Sequence, residues 1–356
     1  MLQLNQAELK SMINGEGSKK ERSRLWLAIF LRAVLIVAFS VALISPLSML
    51  FGSENSSMGV VLLCIILSIR FVDFGYCVRD SLRNLGIVFL LLLFSPSADL
   101  FLNPIFSFFV HFFSILLIVL MTSDKPEMGN GGLFAFSYIL LAGNAVSGEL
   151  FIKRAILTLI SYGICAIIFF QKHRDKNAQI RYHSIISGFS LKSKKCRWQL
   201  QLALGISLLL ALGNLLKIQR LMWAGFACAS LLGCYSADSH EQGLEIDKAE
   251  TKNRFWARLA GAILGSAIFA IIYTLVPQKL HFLFGPIGGI CLGFCTKYRY
   301  KTALNCVGAL LLGTALYGLS GSVFLRIINN LIGASFGYGF FVIYNYLANK
   351  KLGFAK

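Results

Sequence analysis

Long apolar runs, broken by short polar or basic stretches, set the pattern of this chain. Runs at 26–50, 57–72, 84–97, 104–121, 133–149 and 151–170 precede a basic stretch, 171–198. Runs at 199–217, 220–236, 256–276, 280–295, 302–319 and 323–347 follow it. The longer ones match the ~20 residues that a helix needs to cross roughly 30 Å of hydrocarbon. Three of them, 84–97, 133–149 and 280–295, are short enough to be half-helices or re-entrant segments. The pattern predicts an all-α polytopic membrane protein with about 12 transmembrane helices in two sets of six. Its expected parts are a basic N-terminus (1–25), a first six-helix repeat (26–170), a basic linker (171–198), a second six-helix repeat (199–347) and a C-terminus (348–356).

Composition agrees. Of the 356 residues 56% are hydrophobic and 14% charged, against about 25% charged in soluble domains. The mean hydropathy is +0.70. A net charge of +18 would suggest nucleic acid on a soluble protein; here it reads as lysine and arginine that fix topology, with no nucleic-acid partner expected. With the N-terminus inside, all Lys and Arg fall on the inner side except Lys153, Arg154, Lys217, Arg220, Lys279 and Arg326 at outer ends and Arg32 within the first span. Both termini are therefore expected to be cytoplasmic, in a multi-pass membrane protein. The nine cysteines lie mostly inside apolar runs, and Cys291/Cys295 lack neighbouring His or carboxylate. They read as small buried hydrophobes rather than ligands or disulfides, so neither a metal nor a cofactor is expected.

The chain repeats itself. RDSLRNLG (79–86) and RFWARLAG (254–261) share R-x3-R-x2-G, and each opens the third span of its half. FIKRAILTLISYG (151–163) and VFLRIINNLIGAS (323–335) each carry a basic residue into the sixth span. Halves with an even number of spans insert the same way up, a parallel repeat that can enclose a central path. Positions i, i+4, i+7 and i+11 share a helical face. The stripes so formed are Arg254, Arg258, Gly261, Gly265; Arg79, Arg83, Gly86, Leu90; Arg326, Asn330, Gly333, Gly337; and Arg154, Thr158, Ser161, Cys165. Arg79, Arg83, Arg254 and Arg258 stand at the expected inner ends, Arg154 and Arg326 at the outer ends, giving a path with cations at both mouths. Two readings stay open. Arginines at helix ends snorkel to lipid phosphates, and small-xxx-small glycines pack helices. Alternatively Arg79, Arg83, Arg154, Arg254, Arg258, Arg326 and Asn330, with Arg32 inside the first span, bind an anionic substrate. His111, in FFVHFFS, is the one histidine within a span; it is a proton-coupling candidate or a neutral histidine bonded to a neighbouring helix. Glu149 pairs with Lys153 at i+4. There is no GxxxxGK[ST], HExxH or GxSxG, so an enzyme is not expected.

Arg197, then LMWAG with Trp223, then RFWARLAGAILG (254–265) resemble the fusaric acid resistance and aromatic acid exporter superfamily over about 190–345; the first half is a weaker copy without the tryptophan or the second glycine. The resemblance implies an inner-membrane exporter of small organic anions, such as aromatic carboxylates or related toxic compounds, driven by membrane potential or proton motive force. It implies similarity to plant malate channels, where arginine-bearing helices surround an anion path, and a periplasmic membrane-fusion adaptor as partner. Larger members carry a cytoplasmic domain that this chain replaces with the linker 171–198. The alternative is a non-transporting scaffold or lipid-binding partner of such an adaptor. Membrane lipids are partners in either case, and a homo-oligomer is compatible with both.

Overall fold

The computed structural model describes residues 19–235 and 242–352. Most of the basic N-terminus, the start of the acidic stretch 238–250 and the last four residues lie outside the described residues. Every apolar run becomes helix. The helices are α1 (Lys19–Phe51), α2 (Ser56–Ile69), α3 (Val78–Phe94), α4 (Pro104–Thr122), α5 (Asn130–Ala142), α6 (Gly148–His173), α7 (Tyr182–Ser187), α8 (Lys194–Leu215), α9 (Leu221–Leu232), α10 (Gln242–Leu275), α11 (Phe284–Leu292) and α12 (Tyr298–Leu352). Among the described residues there is no strand. The two last runs form one helix in two arms, broken at Gly318, where φ is 68° and ψ 175°; glycine supplies that left-handed φ without a Cβ clash.

Among the described residues seven helices are long and apolar enough to cross a membrane, counting α12 once, so the chain is a multi-pass membrane protein whose described elements are all helices. α2, α5 and α9 are shorter, and α11 has only 9 residues. A helix of about 13 residues rises ~20 Å, less than the hydrocarbon core. Such a helix is best accommodated inside protein, and α5 and α9 pack on each other. Met222 covers Gly143, Ile139 covers Gly225, and the Phe136 and Phe226 rings stack at 4.7 Å.

The chain divides into two compact units, Leu43–Lys252 with Ile332–Lys356, and Met1–Ala42 with Asn253–Leu331. In the larger unit α4 packs most extensively against α8, around a core that includes Ile65, Phe89, Ile115, Phe134, Tyr138 and Leu202. The linker is strapped to this unit by one backbone bond and by three of its acids. The Cys77 amide donates to the Ile180 carbonyl (2.8 Å), and the Tyr182 amide to Asp80 Oδ2 (3.0 Å). Arg181 also meets Asp80 (3.3 Å), Asn177 donates to Asp73 (3.0 Å), and Lys195 pairs with Asp124. The basic linker is thus held by charge-assisted bonds.

In the smaller unit α10 lies against the first arm of α12 at backbone distance. A Cβ on Gly261 would stand 2.6 Å from the Arg299 carbonyl, and one on Gly265 2.3 Å from that of Ala303. Gly289 and Gly293 likewise admit Val37 and Ala33 of α1. The small-xxx-small face therefore does the packing expected of it, and fixes the height at which the polar end of α10 faces α12.

Gly265→Ala forces that contact open, with an expected cost of about 1–3 kcal/mol. Thermal unfolding of the purified protein should move to lower temperature. Gly308→Ala, where an added Cβ meets nothing within 4 Å, serves as the control and should leave the midpoint nearly in place.

Candidate functional site

One turn before Gly261, α10 presents Arg258, which is 9% exposed. Its Nε donates to Asn330 Oδ1 (3.0 Å) and its Nη1 to the Tyr298 hydroxyl (3.3 Å). The Asn330 amide is itself aimed, because its Nδ2 donates to the Arg326 carbonyl one turn earlier (2.7 Å). Arg326 is 4% exposed. It lies beside Cys306 and within electrostatic range of Arg258. The Cys306 thiol points at the Thr302 carbonyl (3.4 Å). Arg254, half-buried, sits over the Tyr298 ring at 5.6 Å, a cation–π contact. Two buried guanidinium groups, an oriented amide and a tyrosine thus share one cluster within the smaller unit.

The charge balance of this unit decides how the cluster reads. Residues 253–331 contain seven Lys and Arg and no Asp or Glu, and residues 22–42 contain no Asp or Glu either. Among the described side chains the unit has no carboxylate of its own. The hydrogen-bond acceptors of Arg258, Asn330 Oδ1 and the Tyr298 hydroxyl, are neutral dipoles. Buried charge normally pairs with opposite charge, because leaving it uncompensated costs several kcal/mol, on the order of 3–5. The cluster is therefore electrostatically poised to accept an anion, and guanidinium forks suit the two oxygens of a carboxylate.

The sequence placed Arg258 and Arg326 at opposite mouths. The structure gathers them, since the second arm of α12 starts at Gly318 rather than at residue 323. Arg326 then stands eight residues along that arm, roughly 12 Å of helix rise from its start. Tyr298 and Cys306 were not singled out from sequence; Tyr298 lies in the basic stretch KYRYK, which reads as topogenic.

The remaining predicted site residues lie elsewhere. Arg32 is half-buried on α1. Arg79 and Arg83 are exposed on α3, where Arg83 contributes charge near Asp80 and Tyr182. Arg154, on α6, is 1% exposed and well satisfied. Its Nε donates to Asn55 Oδ1 (2.8 Å), and its Nη2 to the Glu54 carbonyl (3.1 Å) and Ser57 Oγ (3.3 Å). Asn55 in turn donates to the Leu150 carbonyl (3.1 Å). Arg154 thereby ties the start of α2 to α6. Thr158 and Ser161, further along its stripe, bond back to the carbonyls of Arg154 and Leu157. The expected Glu149–Lys153 pair forms at 2.7 Å.

His111 is fully buried in the larger unit. Its Nε2 meets Asp99 Oδ2 and Ser107 Oγ, each at 3.0 Å, and its Nδ1 meets the Tyr138 hydroxyl at 2.7 Å. Ser107 also bonds Asp99. Asp99 stood in SPSADLFLNP, read as an outer loop, and its approach to His111 depends on the turn after α3. A nucleophile–base–acid relay needs serine and carboxylate on opposite ring nitrogens. Here both occupy the same one, and tyrosine takes the other.

Arg154→Met removes the donors that three buried oxygens use, so it should act on folding. The expected result is a loss of about 2–4 kcal/mol in stability and a reduced yield of monodisperse protein. Arg258→Gln retains an amide nitrogen where the Arg258 Nε stands, within reach of Asn330, and should purify like the wild type. Size-exclusion profiles and thermal melts of the two variants check this contrast.

Residues 206–340 match the family described as fusaric acid resistance protein-like. No curated protein and no solved structure matches the chain. The matched stretch contains Trp223, buried in α9, together with Arg254, Arg258, Gly261, Gly265, Tyr298, Arg326 and Asn330; Arg32, Arg79, Arg83, His111 and Arg154 fall outside it. The resemblance seen in the residues thus coincides with the matched stretch, which supplies the arginine cluster and is similar to the fusaric acid resistance protein-like family.

Proposed function

We propose that the protein is an exporter of small organic anions, with aromatic monocarboxylates as the favoured class, in a bacterial cytoplasmic membrane. The observation that carries this reading is the pair of buried arginines, Arg258 and Arg326, in a unit whose described side chains include no carboxylate. The match to the fusaric acid resistance protein-like family supports it. In this reading Arg258 holds the carboxylate, Arg326 adds the second positive charge, and Tyr298 and Asn330 hold the Arg258 guanidinium in place. Arg254 lies on the approach, and both termini face the cytoplasm. Arg32, Arg79 and Arg83 act at most in collecting anions, and Arg154 acts in the frame. The twelve apolar segments, found in the order expected, support two parallel six-helix halves. A periplasmic adaptor would receive the exported compound.

The membrane potential suffices as a driving force. Moving one charge through 100 mV is worth about 2.3 kcal/mol, or roughly a fifty-fold concentration ratio at 1.4 kcal/mol per decade. A monoanion leaving a cell that is negative inside moves down that gradient.

Reconstituted protein under a potassium–valinomycin potential should pass benzoate at a rate that follows voltage. Arg258→Gln should lower the rate at least tenfold, ~1.4 kcal/mol, and Arg258→Lys less. Normal flux through folded Arg258→Gln would remove the assignment. No flux of any anion through folded wild type would make a scaffold or lipid-binding partner the leading reading.

A further inference from the structure

A second buried polar group, in the larger unit, has a chemistry that the anion site does not use. The surroundings of His111 on α4 are fully accounted for by contacts. The turn 95–100 brings Asp99, whose side chain is 25% exposed while that of His111 is 0% exposed. α5 brings the Tyr138 hydroxyl, itself buried. α8 brings the amide of Asn214 toward Asp99. Ser107 and Ser114 come from α4 itself, and Ser114 donates to Ser95 (2.7 Å). Asp99 and Tyr138 are the titratable groups in contact with the imidazole. Lys217 and Arg220 follow α8 at the same end of the unit, whereas Arg79 and Arg83 stand at the opposite end of α3.

We infer that Asp99, His111 and Tyr138 form a binding site for one proton. Donors and acceptors around the imidazole can be matched in two protonation states. With Asp99 ionised, the neutral imidazole donates Nε2–H to Asp99 Oδ2, and its bare Nδ1 accepts from the Tyr138 hydroxyl. Every atom is satisfied, and the group carries one negative charge. When a hydronium delivers a proton to Nδ1 and leaves as water, Nδ1–H donates to the Tyr138 oxygen. The tyrosine then turns its own proton to Ser114, which is within its hydrogen-bonding reach. Ser114 can accept because its own proton goes to Ser95. The imidazolium now faces the Asp99 carboxylate at 3.0 Å, and the group is neutral overall. Both states are complete, and they differ by one proton and one hydroxyl rotation. A histidine with a purely structural role needs only the first of them. Asp99, partly exposed, is the point at which the group meets its surroundings.

The proton site stands without the transport reading; only its use in coupling anion movement to a proton gradient would rest on that reading. The test is therefore a titration with no anion present. Protein labelled with 15N at histidine, in lipid nanodiscs, is followed by nitrogen NMR from about pH 5 to 9, the range over which histidine switches operate. His111→Asn identifies the resonances. The expected result is that His111 Nδ1 gains a proton in a single step on acidification. Asp99→Asn, which is isosteric and lacks the charge that stabilises the added proton, should displace that step toward acid by at least one pH unit. Tyr138→Phe should keep the step and change the Nδ1 shift. A His111 that stays neutral with its proton on Nε2 throughout would overturn the inference. A step that Asp99→Asn leaves in place would overturn the role of the carboxylate. Circular dichroism of each variant establishes that the fold is retained.

Discussion

A guanidinium keeps its charge at any physiological pH and carries five N–H donors. Burying one among apolar helices is the demand to which the rest of this structure answers, and the chain answers it in two ways. Around Arg154 three oxygens converge from the turn before α2 and its first residues, and Asn55 passes the bond on to α6. The result is a clamp. Around Arg258 the protein brings two neutral acceptors and places a second guanidinium nearby. The Arg258 donors are met by neutral oxygens, an arrangement that suits a site better than a strut.

Close approach of helices makes the second arrangement reachable. Tyr298 meets Arg258 only because Gly261 and Gly265 let α10 ride on the backbone of α12. Gly333 and Gly337, on the second arm of α12, play the same part in the larger unit. There an added Cβ would reach the Ala224 carbonyl at 2.0 Å and the Cys228 Cα at 3.1 Å. The stripe Arg326, Asn330, Gly333, Gly337 is thus one face with two duties. Its first two residues carry charge and polarity, and its last two set a distance. Choosing between packing and binding for such stripes is a false alternative, because the packing is what positions the binding groups.

Much of the fold was legible in the sequence. Apolar length and periodicity located the apolar helices, since hydrocarbon leaves a chain few options beyond helix, but neither the break at Gly318 nor the short α7 within the linker. The basic residues worth attention were legible too, because a cation inside an apolar run is costly and so conspicuous. What stayed hidden depended on geometry between distant segments. Asp99 read as part of an outer loop until the turn at 95–100 brought it beneath His111. Asn55, in a short polar stretch without Lys or Arg, gave no sign that it would satisfy Arg154 nearly a hundred residues away. The depth of Arg326 was misjudged because helicity continues past the apolar boundary back to Gly318, and no local signal marks where such an extension stops. The linker 171–198 read only as a basic segment; Asp73 and Asp124 in loops and Asp80 in the first turn of α3 hold it to the larger unit.

The duplicated motif shows how one pattern acquires two outcomes. R-x3-R-x2-G recurs in α3 and α10, yet Arg83 is exposed and Arg258 buried. The difference follows from the position one helical turn beyond. In α10 that position is Gly265, and the neighbouring helix closes onto backbone. In α3 it is Leu90, which is exposed, and Gly86 meets only the edge of the Tyr162 ring at 3.4 Å, an ordinary contact. Without the second glycine no helix comes near enough to enclose the arginine, so it remains at the surface. A single leucine at the corresponding place in α10 would add volume where a Cβ already has no room, push back the first arm of α12 and uncover Arg258. The buried arginine cluster of this chain therefore depends on the absence of a side chain at residue 265 as much as on the presence of one at residue 258.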